Sequence, residues 1–287
     1  MHGVGPPLVT PFAENGDVDD EKLRDLVAWV EDRGVDFLVP CGSNSEAELM
    51  TARERERVVA TVVDEASVPV LAGTGNPGLR ETRQATAAAA EVGADAALVV
   101  TPFYYDHDQE ALAAYYRELA DAASVPVYLY SVPGYTGVRL APETVADLAD
   151  HPNVVGMKDS SGDIGEFVRT HNRVAADFSH MIGSGGVLAQ ALDAGASGGV
   201  LALANVAPEG ASAVFETHRD GGDPERARDL NADLVDLNRA VTATYGVPGL
   251  KWAMRERGAP AGYPRSPHRE PDPEAQEHLA SLVAGLD

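Results

Sequence analysis

The chain contains a single cysteine, Cys41, so neither an intramolecular disulfide nor a cysteine-built metal centre is available to it. Lysine is almost as scarce: Lys22, Lys158 and Lys251 are the only three. Forty-five Asp+Glu against 22 Lys+Arg leave a formal net charge of −23 and a pI of about 4.6. A field of that sign repels nucleic acid and anionic membranes, which excludes both as partners. The charge is spread along the chain, and an acidic, lysine-poor surface suits a halophilic protein, because molar salt screens its self-repulsion. No apolar run reaches 18 residues, so no membrane span is expected. The opening MHGVGPPLVTPF lacks a basic region leading into an apolar core; it does not read as a signal peptide, and a cytoplasmic location is expected. The eight histidines form neither an HExxH motif nor a close pair, so no zinc signature is present.

What the sequence does have is alternation. Short β-rich apolar runs fall at 5–10, 36–41, 68–73, 95–100, 125–132, 153–158, 178–183 and 198–204, with helical patterns between them. The runs are near-continuously apolar, as parallel strands covered on both faces must be. Eight such units in about 200 residues predict an α/β fold, a (β/α)8 TIM barrel; an open doubly wound sheet is the alternative. Beyond the eighth unit there are more helical segments than a barrel needs. Residues 1–220 are therefore assigned to the barrel and 221–287 to a C-terminal helical extension of the same domain, with a Pro-rich loop at 258–273.

In such a barrel the chemistry gathers at the C-terminal strand ends. Those ends deliver Thr10, the loop Cys41 to Glu46, Gly73-Thr74-Gly75, Thr101 to Tyr105, Tyr130 to Pro133, Lys158, Gly183 to Gly186, and Leu201 with Leu203. Lys158 ends an apolar run, whereas Lys22 and Lys251 lie in helical, charged contexts. A lysine in a dry pocket is a nucleophile for ketones, because burial disfavours the ammonium. Left alone, the same lysine would pair with Asp159; the hydroxyls converging around it favour the nucleophile. Tyr130, one strand away, is placed to relay protons with Ser43 and Tyr104, unless it only caps the barrel core. Gly73 to Gly78 match GxGxxG, but no acidic residue follows at the next strand end, so they read as a tight barrel loop rather than a dinucleotide site. Cys41 has no activating histidine in another strand-end motif and reads as a buried, inert thiol.

The segments LVTPF (8–12), CGSNSE (41–46), VLAGTG (70–75), VVTPFYY (99–105), YSVPGYTG (130–137), VVGMKDSSGD (154–163) and ALANVAP (202–208) together resemble the dihydrodipicolinate synthase / N-acetylneuraminate lyase superfamily of class I, pyruvate-dependent aldolases. The resemblance runs from Gly5 to about residue 265. It implies a homotetramer of barrels (a dimer of dimers) that takes a small keto acid and an aldehyde, with no metal or organic cofactor because the Schiff base is itself the electron sink. It further implies that Lys158 forms the Schiff base and Tyr130 shuttles protons, that Ser43 and Tyr104 complete the relay, Tyr104 across a dimer interface, and that Ser43 and Asn44 hold the pyruvyl carboxylate. Gly183 and Leu201 fall on positions lining the pyruvate pocket. Asn44 and Ser45 stand where the family has Thr and Gly; an Asn amide still donates to a carboxylate, and a serine in place of glycine bears on the loop's backbone angles. Tyr135 stands where synthases acting on aspartate semialdehyde have an arginine that binds the second carboxylate. The pattern is most similar to archaeal 2-keto-3-deoxy-gluconate aldolases, which implies cleavage of 2-keto-3-deoxy-gluconate, or also its 6-phosphate, to pyruvate and glyceraldehyde. The phosphate would need the loop Gly183 to Gly186 as a backbone cradle; otherwise those glycines make room for the keto acid. The alternatives are dihydrodipicolinate synthase, another lyase or dehydratase of the family, or a non-catalytic barrel that binds a keto acid.

Overall fold

The computed structural model describes residues 1–219 and 221–286. The boundary expected at residue 220 and the last residue of the chain lie outside them. Seven parallel strands, β1 (Gly3–Gly5), β2 (Leu71–Gly73), β3 (Ala96–Val100), β4 (Val127–Ser131), β5 (Val154–Asp159), β6 (Ser179–Ile182) and β7 (Gly198–Val200), pair in the order β1-β7-β6-β5-β4-β3-β2. The remaining predicted run, 36–41, closes the ring. Asp36 N donates to Val4 O at 2.8 Å and Val39 N to Pro6 O at 3.1 Å on one side; Leu38 N donates to Pro69 O at 2.9 Å and Leu71 N to Leu38 O at 2.8 Å on the other. Among the described residues its only ladder pairing is Leu38 with Val70, which is why it is a bridging segment rather than a strand. The fold is the expected α/β barrel.

The first and last strands depart furthest from expectation. The first apolar run spans 5–10, but ladder pairing stops at Gly5, where Pro6 and Pro7 have no N–H to donate. The last apolar run spans 198–204, but β7 ends at Val200 and Leu203–Val206 is a short helix. A buried apolar run carries no period that separates helix from strand.

The barrel interior is filled by Phe37, Leu71, Leu98, Tyr128, Met181 and Val200 with their neighbours, and larger apolar layers pack between strands and helices. The glycines of the 73–75 loop are required by close packing: a Cβ on Gly73 would overlap the carbonyl of Cys41, and one on Gly75 the backbone of Val100. After the barrel come the helices Pro224–Arg239, Gly246–Glu256 and Pro273–Val283, with a π-helical turn, Ala240–Thr244, between the first two. Asp223 caps the first by accepting from Arg226 N at 3.0 Å, with Pro224 in its first turn. Its inner face holds the strand-end loops: Asn231 Nδ2 donates to Gly185 O at 2.8 Å, and Ala189 N donates to Asn231 Oδ1 at 2.9 Å. Among the described residues no helix is long and apolar enough to cross a membrane.

Candidate active site

Register puts the two leading residues side by side. Val100, Tyr130, Lys158 and Met181 are successive partners across β3, β4, β5 and β6, so their side chains form one row pointing the same way. Tyr130 and Met181 belong to the interior cluster, and Lys158 therefore points into the barrel mouth. The Lys158 ammonium nitrogen lies 4.2 Å from the Tyr130 ring centroid, and its residue is only 2 % exposed. Lys22 pairs with Asp19 at 3.2 Å and Lys251 with Glu46, whereas Lys158 pairs with no carboxylate among the described residues. Asp159, its neighbour in sequence, points away and accepts from Ser161 N at 2.7 Å; burial raises its carboxyl above the ordinary range. A lysine on an apolar wall with no counter-ion is an amine available for chemistry.

The loop after residues 36–41 supplies hydroxyls. Ser43 Oγ is 3.3 Å from the Tyr130 hydroxyl, so either can pass a proton to the other. Ser43–Ser45 forms a 3-10 turn flanked by Cys41 at φ 57° and Glu46 at φ 56°, both left-handed. Ser45 is not among the residues with positive φ, so the backbone here carries a side chain without the left-handed geometry that favours glycine. That side chain is fully buried, accepts from Gly42 N at 3.1 Å and donates to Leu8 O, stitching the loop to the segment that follows β1. Cys41 is buried, its thiol pushed up to about 12 by burial and its sulfur 3.6 Å from Arg55 O. It is an inert packing residue, as expected.

A cavity of about 630 Å³ opens beside this arrangement; Lys158 is outside its lining, against the Tyr130 ring that forms part of the wall. Ser43, Tyr130 and Tyr135 line it, with Tyr135 at the rim and 68 % exposed. Gly183 makes room beside the amine: a Cβ there would overlap the Ser160 side chain and sit 3.1 Å from Lys158 Cε. Its N–H is taken by Asp159 O at 2.6 Å. Asn44 lies in the same turn as Ser43, half-buried and outside the cavity wall; Leu201 is wholly buried in the packing between sheet and helices. Tyr104 stands away from the cavity, 84 % exposed at φ 81°, edge-on to Tyr105 at 5.0 Å. Among the described residues no group of three or more metal-ligating side chains forms a cluster.

The structure also brings in residues that sequence reasoning passed over. Lys251 is not a surface cation: it is fully buried, donates to Thr10 O at 2.7 Å and to Tyr263 O at 2.9 Å, and pairs with the equally buried Glu46. Burial lowers its ammonium to about 8, with Glu46 opposing. Glu46 also accepts from Arg265 N at 2.9 Å and hydrogen-bonds His268 Nδ1 at 2.8 Å. The loop that carries Ser43 is thereby tied to the C-terminal helices. Ser160, packed between Gly183 and the lysine stem, was likewise missed.

The dihydrodipicolinate synthetase family model matches residues 1–285. An uncharacterized DapA-like lyase of Halobacterium salinarum is 41 % identical over 291 residues, covering 100 % of this chain and 94 % of the relative. The 4-hydroxy-tetrahydrodipicolinate synthase of Haloarcula marismortui is 36 % identical over 289 residues, with the same coverage of 100 % and 94 %. Among solved structures, the chloride-inhibited dihydrodipicolinate synthase of Acinetobacter baumannii complexed with pyruvate superposes with a TM-score of 0.95 at 31 % identity, over 100 % of this chain and 98 % of that one. With a lysine, a tyrosine and a serine converging at the mouth of the barrel, the chain belongs to the dihydrodipicolinate synthetase family and is an enzyme, a pyruvate-dependent carbon–carbon lyase of the class I aldolase type.

Proposed function

We propose that the enzyme cleaves 2-keto-3-deoxy-gluconate to pyruvate and glyceraldehyde and catalyses the reverse condensation. Lys158 Nζ adds to the C2 carbonyl and water leaves, giving a protonated imine. Tyr130, relayed through Ser43, takes the proton of the C4 hydroxyl. The C3–C4 bond breaks, its electron pair moves into the imine, and glyceraldehyde departs from the enamine. Protonation at C3 by Tyr130 and hydrolysis of the imine release pyruvate and restore the amine. Ser43 and Asn44 are assigned to the pyruvyl carboxylate, Gly183 and Leu201 to the shape of the pyruvate pocket, and Tyr135 to the second substrate. The electron sink is the covalent imine, so the reading calls for no metal or organic cofactor. The enzyme is proposed to be cytoplasmic and halophilic, working as a homotetramer in which Tyr104 of a neighbouring copy completes the relay; the exposure of Tyr104 at positive φ supports this.

One observation carries the substrate choice: among the described residues no arginine lines the cavity, Lys158 lies outside its lining, and Tyr135 occupies its rim. A second carboxylate would enter without a cationic partner, losing on the order of 1.5–3 kcal/mol, or about 10- to 100-fold in affinity. The 6-phosphate meets the same obstacle, and the Gly183 N–H is already engaged. The second reading, condensation of pyruvate with aspartate semialdehyde, is favoured by the names of the relatives. Values of kcat/KM for 2-keto-3-deoxy-gluconate, its 6-phosphate and the synthase reaction separate the two. The highest value is expected for the unphosphorylated sugar acid; a clear preference for aspartate semialdehyde would overturn the assignment and leave the Lys158 chemistry intact.

A further inference from the structure

The cavity is larger than a keto acid needs. Ser43 and Tyr130 form its inner part; the outer part is walled by Glu48, by Thr242 and Tyr245 around the π-helical turn, and by His268 from the Pro-rich loop. Two of these polar groups are already committed. Thr242 Oγ1 donates to Asn238 O at 2.6 Å, and the Tyr245 hydroxyl bonds His278 Nδ1 at 2.9 Å. His268 is different. Its Nδ1 lies 2.8 Å from Glu46 Oε1, while its Nε2 has no partner among the described residues. Glu46 is fully buried and ion-paired with Lys251, so its carboxylate only accepts. In the neutral imidazole this fixes the N–H on Nδ1 and leaves a lone pair on Nε2 at the cavity wall. The carboxylate behind the ring cannot swing away, because Lys251 and the Arg265 N–H hold it from other directions.

We propose that the outer cavity is the aldehyde subsite and that His268 is its specificity-determining residue, accepting through Nε2 a hydrogen bond from a hydroxyl of a neutral, hydroxylated aldehyde. Glu46 acts as the positioning residue behind it. This rests on the sugar-acid reading above and adds to it the group that reads the hydroxyl. An aldehyde without hydroxyls has nothing to offer Nε2, and one carrying a carboxylate meets Glu48 and a lone pair.

The test compares two probes in condensation with pyruvate: glyceraldehyde, and propanal, which has the same carbon chain without hydroxyls. In the wild type kcat/KM favours glyceraldehyde. His268→Phe and His268→Ala should each lower the glyceraldehyde-to-propanal ratio about 3- to 10-fold, the worth of one neutral hydrogen bond. His268→Gln, which keeps a donor and an acceptor, should restore most of it. Borohydride trapping of pyruvate at Lys158 should be unchanged in all three. A variant that traps pyruvate normally yet keeps the wild-type ratio overturns the proposal. Loss of trapping in both Phe and Ala variants also overturns it, because His268 would then be holding the inner site. A wild type that prefers aspartate semialdehyde removes the sugar-acid reading itself, before any variant is made.

Discussion

His180 makes acid a specific threat to this fold. It sits on β6 facing outward, fully buried, with neither ring nitrogen hydrogen-bonded among the described residues. The ring stacks on Phe167 at 3.9 Å and lies 6.1 Å from His171. Burial, with a smaller contribution from His171, lowers its pKa from 6.5 to about 3. The unfolded chain therefore takes up a proton below pH 6.5 that the folded chain refuses until about pH 3. Stability from this group is complete above pH 6.5 and is lost as pH falls through that window, at about 1.4 kcal/mol per pH unit. By pH 5 the loss is about 2 kcal/mol, on the order of 3 °C in Tm for a chain of this length. Most paired carboxylates are still ionised there, and comparison with a variant separates His180 from the other histidines. Melting curves at pH 7 and pH 5 in constant molar KCl measure it. His180→Phe, which keeps an aromatic ring on Phe167 and removes the titration, should shrink the difference between the two pH values by about 2 kcal/mol. Identical acid limbs in wild type and variant would refute the assignment.

Three further outcomes follow from the same structure. Tyr130→Phe should lower kcat by roughly 10²- to 10⁴-fold while pyruvate trapping slows but persists; a near-wild-type kcat would reduce Tyr130 to a packing residue. Lys251→Ala leaves Glu46 charged and buried without its partner, so denaturant titration should show a loss of about 3–5 kcal/mol, and an unchanged midpoint would contradict the buried pair. With −23 of net charge to screen, Tm should rise as KCl goes from dilute to molar; a steady fall would contradict the saline adaptation.

The site was legible in sequence where local chemistry was one-sided. Lys158 closes an apolar strand, and Tyr130 ends the strand before it, so a parallel register places them together without further information. The barrel itself followed from the alternation, because its staves are short runs flanked by turns. What escaped was long-range. Lys251 is surrounded in sequence by helix and charge, and its burial depends on Glu46, 205 residues away, which no period reveals. His268 lies in a Pro-rich loop that reads only as a connection, and its value comes from that same carboxylate. The helix at Leu203–Val206 was missed because wholly buried apolar residues look alike in either conformation. The exposure of Tyr104 has no sequence signature at all.

The central claim is that Lys158 is the nucleophile, and it is tested most directly by mass spectrometry after incubation with pyruvate and borohydride. With three lysines in the chain, peptide mapping assigns the adduct without ambiguity. One reduced pyruvyl group on Lys158 is predicted, absent in a folded Lys158→Ala protein that also lacks activity. An adduct on Lys22 or Lys251, or none at all, would contradict the account.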